Sequence, residues 1–205
     1  LKNPEYYTIW NIRRRLLVNG LFQGATASSQ AEGPAIAADT GTPLQRDDHA
    51  EVILDLIRKD LDFLVPLLRK WPKCYWIWNY RVWLLQEATA RLEATTARRL
   101  WADEFKLVSM MLVKDNRNFH GWRYRRIIVA ELESASLGGT SMVEAEYEYT
   151  TKMIKSNLSN FSAWHNRSCL IPRLLNERGA DMVARRKMLD DGISNLNRSN
   201  HTMIF

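Results

Sequence analysis

Cysteine is nearly absent from this chain: Cys74 and Cys169 are the only two among 205 residues, 95 apart, with no metal-ligand spacing between them. That excludes a disulfide scaffold and points to a reducing, cytoplasmic setting. Histidine is almost as scarce. His49, His120, His165 and His201 form no zinc-binding pattern, so no metal is expected on this chain. No stretch approaches the ~20 consecutive apolar residues needed to cross a bilayer. The opening Leu-Lys-Asn-Pro-Glu-Tyr-Tyr has neither the basic and apolar regions of a signal peptide nor an initiator Met, and reads as cut from a longer chain. Aromatic residues are missing altogether from Gly24 to Asp47, a small, polar, Gly/Pro-punctuated run. Such a run cannot bury enough apolar surface to offset its ordering entropy, and it is expected to be a disordered inserted loop.

What the chain does have is tryptophan in a fixed register. An aromatic residue, Trp three later and Arg three after that occur four times: Tyr7–Trp10–Arg13, Tyr75–Trp78–Arg81, Phe119–Trp122–Arg125 and Phe161–Trp164–Arg167. The last two intervals between these Trp are 44 and 42 residues. The first is 68, and taking out the 24-residue insert brings it to 44. A period of that size means one structural unit used repeatedly.

The unit extends upstream. Eighteen residues before each of the last three Trp stands an acid, Asp60, Glu104 or Glu146. Phe63, Leu107 and Tyr149, then Leu67, Met111 and Met153, then Leu68, Leu112 and Ile154 follow at spacings that make one stripe on a helix. Turn and cap residues come next: Asn3-Pro4, Pro72-Lys73, Asp115-Asn116 and Asn157. Each unit is therefore a helix, a tight turn and a second helix bearing Trp and Arg. The fold expected is all-α, one helical-repeat domain over residues 1–205, with hairpins stacked as a right-handed α-α superhelix. In it the aromatic and the Trp of each word are expected to pack as core, with the Arg on backbone carbonyls or a neighbouring hairpin's carboxylate.

A net charge of +6, with basic clusters at Arg13–Arg15, Arg98-Arg99, Arg123–Arg126 and Arg185–Lys187, admits two readings. Cations beside eight Trp could hold single-stranded nucleic acid. Equally, they suit a ligand bearing phosphate or diphosphate. Since most of these Arg follow the repeat register, charge alone does not choose.

The words themselves do. Asn3-Pro4-Glu5-Tyr6-Tyr7-Thr8-Ile9-Trp10-Asn11-Ile12-Arg13-Arg14 resembles the repeat of protein prenyltransferase α subunits, and Pro72-Lys73-Cys74-Tyr75 resembles that family's second repeat. Asn118-Phe119-His120-Gly121-Trp122 and Asn160-Phe161-Ser162-Ala163-Trp164-His165-Asn166-Arg167 are most similar to the Rab (type II) geranylgeranyltransferase α subunit, and less so to the farnesyl or type I form. The resemblance covers nearly the whole chain outside the insert. A TPR- or HAT-like scaffold is the alternative, and TPR units of about 34 residues do not match this period.

The resemblance implies a crescent of hairpins around a separate β subunit that carries the catalytic zinc, none being held by this chain. It implies transfer of geranylgeranyl from its diphosphate, bound at the subunit interface, to C-terminal cysteines of a Rab GTPase presented by an escort protein. No nucleic-acid partner is implied. Lys73 takes the position whose lysine reaches toward the diphosphate, on the first helical turn, where its charge would add to the helix dipole. Tyr75 and His120 match positions near the active site, and Asn118 is a weaker match, at the diphosphate rim or as a cap. The chain departs from the family in having no helix pair before the first word and no fifth Trp in 191–205. It is expected to be a fragment, inactive alone, less stable and a poorer β-subunit binder than a longer α chain.

Overall fold

The computed structural model describes residues 3–23, 43–188 and 190. Among them the ordered elements are helical. α1 (Tyr7–Leu16) runs on into a π-helical stretch, Leu17–Leu21, and α2 spans Pro43–Lys70. α3 (Tyr75–Arg91), α4 (Ala94–Lys114) and α5 (Phe119–Leu132) follow, then a short 3-10 turn, Ala135–Leu137, α6 (Val143–Ser156) and α7 (Phe161–Glu177). Residues 182–188 are again helical. Of the segment expected to be a loop, 24–42 lies outside the described residues, whereas 43–47 belongs to α2. That helix begins on Pro43, a residue whose fixed φ suits the first helical position.

The three hairpins are α2–α3, α4–α5 and α6–α7, and each closes through the same four-residue turn. Trp71 N–H donates to the Leu67 carbonyl at 2.8 Å and Cys74 N–H to the Trp71 carbonyl at 3.1 Å. Asp115 and Asn118 repeat this at 2.9 and 3.2 Å, and Asn157 and Asn160 at 3.2 and 3.0 Å. Between α5 and α6 the chain turns at Gly138, whose φ of 62° needs a glycine, and at Gly139, where a Cβ would lie 2.1 Å from the Leu132 carbonyl oxygen.

The sequence reading takes 1–205 as one domain; contacts divide the chain into two compact units, residues 1–140 and 141–205. In an array each hairpin touches only its neighbours, so such divisions can fall between any two. The first unit buries Trp10, Ile57, Leu64, Leu68, Ile77, Leu84, Trp101, Val108, Leu112, Trp122 and Ile128. The second buries Val143, Thr150, Met153, Ile154, Ala163 and Leu174.

The buried stripe of each first helix keeps Leu67 and Leu68, Leu112, and Met153 and Ile154 as expected, but differs from the expected one at a single position per helix. Leu64, Val108 and Thr150, fourteen before the Trp, are fully buried, while Phe63, one position earlier, is 39% exposed. Phe63 lies at the edge of the stripe, where the Arg13 guanidinium sits 4.7 Å over its ring. Arg125 over Phe105 and Arg167 over Tyr147 are close variants, at 4.2 and 4.1 Å.

Candidate active site

The repeated word builds a scaffold before it builds a site. Every Trp of the word donates its indole N–H to the carbonyl six residues earlier, inside its own turn. Trp10 reaches Pro4 and Trp78 reaches Pro72, both at 2.8 Å, while Trp122 reaches Asn116 and Trp164 reaches Leu158, both at 2.9 Å. Trp10, Trp78 and Trp122 are otherwise buried, each a large apolar body with its one polar atom satisfied, while Trp164 is half-buried.

Each Arg serves a carboxylate or hydroxyl on a first helix. Arg13 Nε donates to Asp60 Oδ2 at 2.9 Å, its Nη2 to Oδ1, and the Tyr80 hydroxyl to Oδ2 at 2.6 Å. One repeat on, Arg81 Nε donates to Glu104 Oε2 at 2.9 Å, its Nη2 to Oε1, and the Tyr124 hydroxyl to Oε2 at 2.6 Å. Arg81 Nη1 also reaches the Leu61 carbonyl at 2.7 Å. The acid of one hairpin thus receives the Arg of the preceding word and the Tyr of its own. Burial first, and then the adjoining carboxylate, push both phenols well above their ordinary pKa, so each keeps the proton it donates to the carboxylate. Arg125 Nη1 donates to Ser109 Oγ at 2.7 Å, and Arg167 to the Thr151 and Tyr147 hydroxyls. The carboxylate partner is as anticipated. The tyrosines were missed, though Tyr80 and Tyr124 stand two residues after Trp in both words.

The first aromatic of the word does not behave as expected. Tyr7, Tyr75, Phe119 and Phe161 are all exposed, from 38% for Tyr75 to 75% for Phe161. Each opens its helix at the turn end of the hairpin, ahead of the stretch that packs. In the first unit these rings form a continuous ribbon. Centroids are 5.5 Å apart for Tyr7 and Trp76, 5.1 Å for Trp76 and Tyr75, 6.2 Å for Tyr75 and His120, and 3.9 Å for His120 and Phe119.

Lys73, Tyr75, His120 and Asn118 meet beside this ribbon, where the 71–74 turn abuts the start of α5. Lys73 is exposed and precedes the N-cap, Cys74, so it lies in the turn and not on the first helical turn. Burial and then the Arg123 charge push the His120 imidazole below its ordinary pKa, and the Glu5 carboxylate and the Lys73 backbone only partly oppose them. At neutral pH the ring is therefore uncharged, and Lys73 and Arg123 supply the positive charge here. Arg123 lies 5.9 Å over the Tyr75 ring, and Asn79 Nδ2 donates to the Tyr75 hydroxyl at 3.3 Å.

Asn118 does not fit a ligand-binding role. It is 3% exposed, its Oδ1 accepts from the backbone of His120 and Gly121 at 3.1 and 3.2 Å, and its Nδ2 donates to the Pro72 carbonyl at 2.9 Å. With both polar atoms committed, it caps α5 and holds the neighbouring turn. Cys74 occupies the corresponding place one repeat earlier, its thiol 3.5 Å from the Pro4 carbonyl. Burial is the main cause that pushes that thiol up in pKa.

Among the described residues no three His, Cys, Asp or Glu side chains gather as a metal site, and no helix is long and apolar enough to cross a membrane.

Comparison with known proteins yields one family match, to the protein prenyltransferase alpha subunit repeat, over residues 57–88, 101–132 and 143–174. Each window opens 21 residues before its Trp, on buried Ile57, Trp101 or Val143, and closes ten after it. The chain is 40% identical over 178 residues to the geranylgeranyl transferase type-2 subunit alpha of Candida albicans, covering 85% of this chain and 41% of that protein. The Saccharomyces cerevisiae protein of the same name is 36% identical over 173 residues, 84% of this chain and 42% of its own length. For the Homo sapiens protein the identity is 33% over 172 residues, 84% of this chain and 24% of the relative. The chain thus spans about four-tenths of the fungal relatives' length and a quarter of the human one's.

Proposed function

The chain belongs to the protein prenyltransferase α-subunit repeat family, and from that membership we propose that it is part of the α subunit of a Rab geranylgeranyltransferase. Such an enzyme joins a β subunit and transfers geranylgeranyl from geranylgeranyl diphosphate to C-terminal cysteines of a Rab GTPase. The observation that carries the reading is the meeting of Lys73, Tyr75 and His120 from two repeats at one exposed end of the first unit. In the transfer a carbon–sulfur bond forms, the carbon–oxygen bond to diphosphate breaks, and negative charge grows on the departing diphosphate. Stabilising that charge requires cations and hydrogen-bond donors held ready at the leaving oxygens. Zinc, when bound, makes the attacking cysteine a thiolate at neutral pH. We assign it to the β subunit, as the family resemblance implies, and route no step through it here.

On this chain Lys73 supplies the ammonium, and Tyr75, two residues on, a hydroxyl. His120 stands beside the Tyr75 ring, next to the turn from which the lysine reaches outward. Because the Lys73 side chain has no carboxylate partner among the described residues, its charge is free for an incoming anion.

The test is geranylgeranyl transfer by the complete α chain with its β subunit, on a Rab ending in cysteines. Lys73→Ala should lower kcat by about 10- to 100-fold while leaving subunit association unchanged. An unaltered rate would remove Lys73 from the chemistry, and failure of the unsubstituted chains to associate would overturn the reading itself.

A further inference from the structure

A helix cap needs only an oxygen that accepts backbone N–H groups, so Ser, Thr or Asp at position 118 would serve α5 as well. Asparagine adds a donor. Oδ1 of Asn118 accepts from the His120 and Gly121 amides at 3.1 and 3.2 Å, which is the cap, while Nδ2 donates to the Pro72 carbonyl at 2.9 Å. That carbonyl also accepts the Trp78 indole N–H at 2.8 Å. Both of its lone pairs are thus engaged, one by its own hairpin and one by the next. Pro72 and Lys73 share a planar peptide, and the proline ring fixes φ on its other side. Holding this oxygen therefore holds the Lys73 nitrogen and Cα. At 3% exposed, Asn118 keeps these bonds out of competition with water. In the corresponding place one repeat earlier, Cys74 gives the Pro4 carbonyl a weak thiol contact at 3.5 Å, and the turn it meets carries Glu5 where the second carries Lys73.

We propose that Asn118 is a positioning residue for the transfer. By joining the backbone of the Lys73 turn to the backbone at His120, it sets where the Lys73 ammonium stands as the diphosphate departs. The proposal rests on the reading of Lys73 as the cation that faces that diphosphate. Asn118 has no polar atom left for substrate, so its action runs through Lys73. A displacement of about 1 Å at the turn would carry the ammonium off the leaving oxygens, and a misplacement of that size can cost about 100-fold. The flexible four-carbon stem of lysine recovers part of the loss, which puts the expected effect near 10-fold, as an order of magnitude.

The experiment measures single-turnover geranylgeranyl transfer by the complete α chain with its β subunit, in a double-mutant cycle with Lys73→Ala. Asn118→Ser keeps a capping oxygen and loses the donor, and should slow transfer by about 10-fold with subunit affinity unchanged. In the Lys73→Ala background the same substitution should change the rate by less than about 2-fold, because the residue it positions is gone. Asn118→Asp, of the same size and also a cap, is the second variant, and should follow the same pattern even where Ser disturbs folding. Equal slowing in both backgrounds would overturn the proposal, by making Asn118 a structural residue alone. An unchanged rate in both Asn118 variants, with Lys73→Ala slow, would overturn it too and leave the reading of Lys73 standing. An unchanged rate for Lys73→Ala would sink the two together.

Discussion

Arg13 and Arg81 hold the same place in the word and pair with a carboxylate in the same way, but they sit in different solvents. The Arg81 side chain is 1% exposed and faces Glu104 at 7%, whereas Arg13 is 41% exposed beside Asp60 at 8%. Removing Arg81 leaves a buried carboxylate with one phenol and no water, and Arg81→Ala should cost about 3–5 kcal/mol. Arg13→Ala lets water reach Asp60 and should cost roughly 1 kcal/mol. Urea unfolding of the two variants checks the difference, and equal losses would contradict the burial argument. Sequence spacing identified both arginines and both acids. It could not rank them, because exposure depends on which hairpin lies above each pair.

At the scale of elements, the N-cap of each second helix has one job in two parts. Its side chain can satisfy amides of its own first turn and tie that turn to the preceding one. Asn118 does both, and Asn160 accepts from the Ala163 amide at 3.1 Å. Cys74 makes no side-chain cap and offers only a weak S–H contact to Pro4. Cys74→Asn should therefore stabilise the chain by about 0.5–1.5 kcal/mol and raise its melting temperature by a few degrees. A lower melting temperature would mean that the buried site cannot take the larger side chain. The helices, the turns and the cap positions were legible because caps and 3.6-residue stripes are local properties of the chain. The role of Asn118 was half legible, since a cap can be read from its neighbours, but the Pro72 carbonyl comes from another repeat, 46 residues earlier.

For the whole molecule, the consequence of a one-dimensional architecture is that stability resides in units and the interfaces between adjacent ones. Residues 1–140 form a compact unit and contain both Arg–acid–Tyr clamps, Arg13–Asp60–Tyr80 and Arg81–Glu104–Tyr124. Expressed alone, this segment should be helical by circular dichroism and melt in a single cooperative transition. A broad, non-cooperative melt would show that it draws its stability from 141–205.

The sequence by itself determined the hairpin, its period, the four words and the family, because all of these follow from which residues recur at fixed distances along one chain. It also nominated Lys73, Tyr75 and His120. Only the tertiary structure decided that the word's first aromatic faces outward, that Lys73 lies in a turn, that Tyr80 and Tyr124 complete the clamps, and that Asn118 has no free polar atom. The reason is that solvent exposure and hydrogen-bond partnership are set by residues on other helices, 20 or more positions away along the chain, and no local pattern carries that information.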